Sequence, residues 1–221
     1  MKLLALETAN QQCSVCMVDD TQDVFFDLDS RARAQTQTIL PMIEQALLQA
    51  NIPASELTAI AFSRGPGSFS GVRINAAVAQ ALAWANDLPV VPVSTLQALA
   101  QAAYRLAGLT AVTAVIDARM NEVYIASFKL DEHGIMQAVD QEQLLSYDQA
   151  KTVQSFTLVG SGSVLVDATA TEHQGIDATA QDIASIARQA ALQQQWVSAE
   201  LALPVYLRDD AWKKISEQGK A

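Results

Sequence analysis

The stretch from Leu3 to Leu28, LLALETANQQCSVCMVDDTQDVFFDL, contains three short apolar runs: Leu3–Leu6, Ser14–Val18 and Val24–Leu28. Asn10-Gln11-Gln12 and Asp19-Asp20-Thr21-Gln22 separate them, so each run predicts a strand and the three together a meander. Outward from this meander, a helical pattern spans Gln35 to Ala50 and stops at Asn51, with Pro53 just beyond. Thr58–Ser63 then predicts a strand, Ser70–Ala85 a helix and Val90–Val93 a strand, and Ser94 caps a helix running through Leu106 to Gly108. The order βββαβαβα defines a first domain, residues 1–108.

Residues 109–221 form a second domain by pattern. Ala111–Asp117 and Glu122–Lys129 predict two strands joined by Ala118-Arg119-Met120-Asn121, a hairpin. Phe156–Val159 predicts a strand, and Asp177 or Thr179 caps a helix to Gln194. Pro204–Arg208 predicts a final extended piece, packing back on the first domain, before the basic Lys213-Lys214.

Half of the 221 residues are hydrophobic, 17% are charged and mean hydropathy is +0.14, which excludes a disordered, collagen-like or coiled-coil chain. Fourteen Lys and Arg against 24 Asp and Glu give a net charge of -10 and a pI near 4.5, which excludes a stand-alone nucleic-acid binder. The first 108 residues hold 6 basic and 9 acidic side chains and the remainder 8 and 15, so the acidity lies mostly in the second half. The opening apolar run is short and closed by Glu7, which predicts a cytoplasmic protein without a signal peptide. Asn75 and Gln80 interrupt the most apolar helix, so no membrane span is expected. Cys13 and Cys16 form a C-x-x-C, open to a redox or zinc reading. On a strand they point to opposite faces, and two buried thiols are the alternative.

Ser63-Arg64-Gly65-Pro66-Gly67-Ser68-Phe69-Ser70-Gly71-Val72-Arg73 lies between a predicted strand and a predicted helix. Bare backbone N–H groups at a helix N-terminus can receive a phosphate or carboxylate, and Arg73 in the first turn, opposing the helix dipole, implies an anion or a partner carboxylate nearby. The same residues also suit a tight turn capped by Ser68 or Ser70. The spacing fits neither a Walker loop nor a dinucleotide fingerprint, and Phe69 stands where a hydrolase elbow needs its nucleophile.

Residues 31–105 carry eight charges: Arg31, Arg33, Glu44, Glu56, Arg64, Arg73, Asp87 and Arg105. Helices so poor in charge need cover, from the second domain or from a subunit interface around Leu40, Ile43, Leu47, Ile74, Val78 and Leu82. Such a face also predicts a homodimer when another partner is absent. Asp117, Arg119 and Glu122 cluster at the hairpin, to bind a ligand or a neighbouring subunit or to form a local turn network. His133 and His173 are not spaced for a shared metal and read as surface residues; Trp84, Trp196 and Trp212 read as packing or interface aromatics.

Four blocks, in order, resemble the TsaB (YeaZ) family: Leu4-Ala5-Leu6-Glu7-Thr8-Ala9, Arg64 through Arg73, Ile116 through Tyr124, and Pro204-Val205-Tyr206-Leu207-Arg208. The resemblance implies a two-domain α/β chain with the actin-like ATPase fold of sugar kinases, Hsp70 and actin, with degenerate nucleotide motifs. It further implies a role in making N6-threonylcarbamoyladenosine in tRNAs that read codons beginning with A. In that pathway a TsaC-type enzyme forms threonylcarbamoyl-adenylate and a TsaD-type subunit transfers the group. The TsaB-type chain is the non-catalytic partner of TsaD, and a TsaE-type ATPase docks on the pair. The chain would then meet tRNA only through the complex, and ATP or ADP would sit at the joint with TsaD. Thr8, Gly65, Gly67, Ser68 and Arg73 are the residues placed to contact it. No nucleotide is expected on the chain alone, and no metal.

Two departures from the superfamily's catalytic pattern bear on activity. The His-x-x-x-His pair of TsaD-type enzymes has no counterpart in Arg33–Pro41, where Gln35 replaces even the single histidine common in TsaB proteins. Glu7-Thr8-Ala9-Asn10 has a carboxylate but lacks the glycine of an Asp-x-Gly phosphate motif. The competing expectations are a small-molecule kinase or ATPase of the same fold, favoured by the glycine loop, and a peptidase, for which no nucleophile and base pair up.

Overall fold

The first lobe is a five-stranded sheet whose three inner strands are buried along their whole length because both of their faces are covered. β1 (Leu3–Glu7) pairs antiparallel with β2 (Cys13–Val18), which pairs antiparallel with β3 (Asp23–Asp29). On its other side β1 pairs parallel with β4 (Ala59–Ser63), and β4 with β5 (Val90–Val93), giving the order β3-β2-β1-β4-β5. The computed structural model describes residues 1–208 apart from Thr21 and Ala32; Trp212, Lys213 and Lys214 lie outside the described residues.

On one face, Leu4, Leu6, Val15, Ile60 and Phe62 pack under α1 (Gln35–Ala50) and α2 (Phe69–Ala85). Asn51, in the left-handed region, ends α1, and Ser68 caps α2 by accepting the Gly71 N–H. α3 (Thr95–Ala107) starts at Ser94, which accepts the Gln97 N–H, and ends at Gly108 with φ +67°. Cys13 belongs to the core under α1 and α2 and Cys16 to the opposite core. Both are free and buried, and burial pushes both thiols up in pKa, away from reactive thiolates.

In the second lobe, β6 (Ala111–Arg119) and β7 (Glu122–Leu130) form a long hairpin. β8 (Met136–Ala138) and β9 (Gln143–Ser146) both pair with β7, and β10 (Thr157–Val159) pairs parallel with β6. Between and after them come α4 (Tyr147–Val153) and α5 (Ser163–Val166). These short elements escape a periodicity reading, although Ser146 and Gln149 form the capping box that opens α4.

α6 (Ala180–Leu192) follows the second sheet in sequence but packs on the first. Ile183, Ala184 and Ala187 cover Leu3, Ala5, Cys16 and Ala61 on the face that α1 and α2 leave bare. Of the two proposed caps, Thr179 is the one used, in a reciprocal box with Asp182. Asp182, wholly buried, also holds Arg105 of α3 at 2.8 and 2.9 Å. Pro204–Arg208 forms no strand of either sheet. Among the described residues no helix is long and apolar enough to cross a membrane.

Candidate functional site at the glycine loop and the second-lobe hairpin

The glycine loop leaves β4 at Ser63 and enters α2 at Phe69, and its glycines face the chain's own backbone. A Cβ at Gly71 would overlap the Thr8 carbonyl oxygen, and one at Gly67 would stand 2.5 Å from the Ala9 carbonyl oxygen. Donors are turned inward too. The Ser68 N–H donates to Ala9 O at 2.7 Å, the Thr8 hydroxyl donates to Gly71 O at 2.8 Å, and the Gly71 N–H donates to Ser68 Oγ. Thr8 is fully buried. The reading of Thr8 and Gly67 as ligand contacts therefore meets a physical obstacle: each is already packed against the other's segment. Gly65, at φ +102°, serves a close approach as well, since its Cβ would lie 3.0 Å from Val205 O.

Beneath the loop sits Glu7, 1% exposed, a carboxylate that the pattern reading noted only for its missing glycine. Its Oε1 accepts the Ala9 N–H, while Oε2 has no hydrogen-bond partner among the described residues. Burial raises its pKa to about 7, against the pull of the nearby Ser63 hydroxyl and the Ala9 and Asn10 N–H groups, with Asp182 adding to the rise. Asn75 completes the buried cluster by donating to Leu6 O, Ser63 O and Ser63 Oγ.

Arg73 was expected to meet an anion. Within the chain it donates instead to Phe69 O at 2.7 Å, and its guanidinium lies 3.4 Å from the Phe69 ring centroid and 4.9 Å from that of Tyr206. A delocalised cation stacks well on such rings, which accounts for a positive charge at a helix N-terminus without a bound anion. None of the ion pairs among the described residues includes Arg73.

Asp117, Arg119 and Glu122 do come together at the hairpin tip. Asp117 accepts the Arg119 N–H at 2.8 Å and pairs with its guanidinium at 2.9 Å, while Glu122 pairs with Arg208. Arg119, Met120 and Asn121 all have φ between +56° and +63°. Three consecutive non-glycine residues in the left-handed region store strain that only a surrounding network sustains. Ser161, from the Gly160-Ser161-Gly162 loop after β10, accepts the Asp117 N–H. That loop repeats the first lobe's design, since a Cβ at Gly160 would lie 2.7 Å from Val115 O and one at Gly162 3.1 Å from Ile116 C. The strand-Gly-x-Gly-helix pattern was its overlooked signal.

The six residues assigned to an interface separate. Leu40 is 56% exposed, Leu47, Ile74, Val78 and Leu82 are half-buried, and Ile43 is 4% exposed. Ile43 is corrected to a core position, because it lies with Met42 in the core that α1 closes over β2 and β3. Exposed Leu48 and Trp84 belong to the same two helices. Gln35, where the histidine was missed, is buried and donates to Asn10 O. His133 is a surface side chain as expected, but His173 is only 16% exposed and lines a second-lobe cavity of about 370 Å³.

Residues 29–208 match the family model described as TsaD: tRNA N6-adenosine threonylcarbamoyltransferase. The TsaB protein of Escherichia coli (strain K12), named for tRNA threonylcarbamoyladenosine biosynthesis, is 38% identical over 97% of this chain and 98% of its own length. Its counterpart in Haemophilus influenzae is 36% identical over 97% of each. The solved structure of YeaZ from Pseudomonas aeruginosa is 36% identical, with a TM-score of 0.86 over 93% of this chain and 99% of that one. The two-sheet topology and the TsaD-family match give the actin-like fold.

Proposed function

We propose, because this chain belongs to the TsaB family of tRNA threonylcarbamoyladenosine biosynthesis proteins, that it serves that pathway as a non-catalytic subunit. It pairs with a TsaD-type transferase through α1 and α2 and helps a TsaE-type ATPase to dock. One observation carries this reading: Gly67 and Gly71 are spent on packing against Thr8 and Ala9, so the loop supports a fold and not a phosphate cradle. The helices beside it favour pairing. α1 has Glu44 as its one charged residue, and Leu40, Leu48 and Trp84 lie exposed on α1 and α2. With a net charge of -10, contact with tRNA falls to the complex.

Of the five residues read as contacts for ATP or ADP at the joint with the transferase, exposed Ser68 and half-buried Arg73 are the two side chains that remain accessible. Arg73→Gln titrated against that subunit with and without ADP tests this contact; equal affinities would remove it.

The pairing itself is tested by mixing the purified chain with the TsaD-type subunit and measuring complex mass and tRNA modification together. Leu40→Glu is expected to leave a folded chain that pairs at least tenfold more weakly, since an uncompensated charge at an interface is expensive. Undiminished pairing and modification by Leu40→Glu and Val78→Glu would sink the proposal. The chain alone is expected to release no phosphate from ATP and to cleave no peptide; either activity would restore the kinase or peptidase reading.

A further inference from the structure

Residues 204–208 touch both lobes, at the glycine loop of the first and the left-handed hairpin turn of the second. At the first lobe, the Val205 N–H donates to Arg64 O at 2.8 Å, Val205 O fills the space beside Gly65, and the Tyr206 ring lies against Arg73. At the second, Arg208 pairs with Glu122, donates to Ala118 O at 3.2 Å and lies 3.8 Å from Met120 Sδ. Its guanidinium thus braces the strained left-handed turn. A second link runs beside it, from Arg64 of the glycine loop to Glu142 after β8, at 3.0 Å.

We propose that residues 204–208 are a strap that couples the glycine loop of the first lobe to the hairpin tip of the second. The strap fixes the angle between lobes that share no sheet, and a perturbation at either end is felt at the other. Three features favour a strap over a passive tail. Its first-lobe contact is built into the backbone at Gly65, where a side chain would collide with it. Its second-lobe contact is an ion pair to Glu122 joined to a hydrogen bond on Ala118 O, at a turn that needs support. Residues 204–208 form no ladder with either sheet, so these contacts are what hold them. This inference rests on the chain's own contacts and is independent of its proposed function.

Amide hydrogen exchange on the full chain separates the outcomes. Arg208→Ala removes the second-lobe contact alone, and Val205→Pro removes the first-lobe N–H alone. Arg208→Ala is expected to speed exchange roughly tenfold in residues 64–73 as well as in 118–123. Val205→Pro is expected to do the same in 118–123. Exchange in α6 serves as the control for intact folding and should not move. Gly65→Ala, which crowds Val205 O, should reproduce the Val205→Pro pattern. Faster exchange confined to the altered end in both Arg208→Ala and Val205→Pro overturns the strap.

Discussion

Glu7 sets how the molecule responds to pH. Its carboxyl titrates near 4.5 in an open chain and about 7 in the folded one, so between those values the folded state holds more protons than the unfolded. Stability from this group is therefore complete below about pH 4.5, falls as pH rises toward 7 and levels off above it. The deficit at pH 8 is on the order of 3 kcal/mol. Glu7→Gln is expected to raise the unfolding midpoint at pH 8 and to flatten the decline between pH 5 and 7; a parallel slope in both proteins would refute the assignment. Met120 offers a second test. It sits at φ +56° on a two-residue turn, where a left-handed conformation costs a β-carbon-bearing residue about 1–2 kcal/mol. Met120→Gly should stabilise the chain by about 1 kcal/mol in urea titrations; a loss of stability would show that the side chain's contact with Arg208 counts for more than the turn's strain.

At the level of elements, helix limits were legible and facing was not. Asn51, Ser94 and Gly108 announce their caps because capping depends on the residue's own side chain or backbone conformation. No local pattern says that Gly71 will meet Thr8, since that contact closes a loop of more than sixty residues. For the same reason Leu40 and Ile43 look alike in sequence: α1 is apolar around much of its circumference, and only the sheet beneath it separates surface from core. Gly71→Ala is accordingly expected to cost more than 3 kcal/mol, because its Cβ meets backbone that cannot rotate away. Gly108→Ala, with open space around it, should cost only about 1 kcal/mol for its positive φ. Equal effects in denaturant titrations would show that the loop yields more readily than its geometry implies.

Across the whole molecule, the lobes are joined by the strap, by the Arg64–Glu142 pair and by Arg105 of α3, a helix that packs through Leu96, Leu99 and Ala103 on the second sheet and grips Asp182 of α6. Arg105→Ala leaves a buried carboxylate facing only the Thr179 N–H and hydroxyl. A loss of about 3 kcal/mol is expected in thermal or urea unfolding, with most of it recovered by pairing the change with Asp182→Asn. The family was readable from four sequence blocks, yet the return of α6 to the first sheet was not, because its apolar face, Ile183, Ala184 and Ala187, fits any sheet. That return has a consequence for how the protein is made. During synthesis the first sheet leaves the ribosome long before its second cover does. Leu3, Ala5, Cys16 and Ala61 must wait for residue 192 before water is excluded from that face. A nascent chain of 108 residues thus carries an uncovered apolar sheet face and is not a finished lobe.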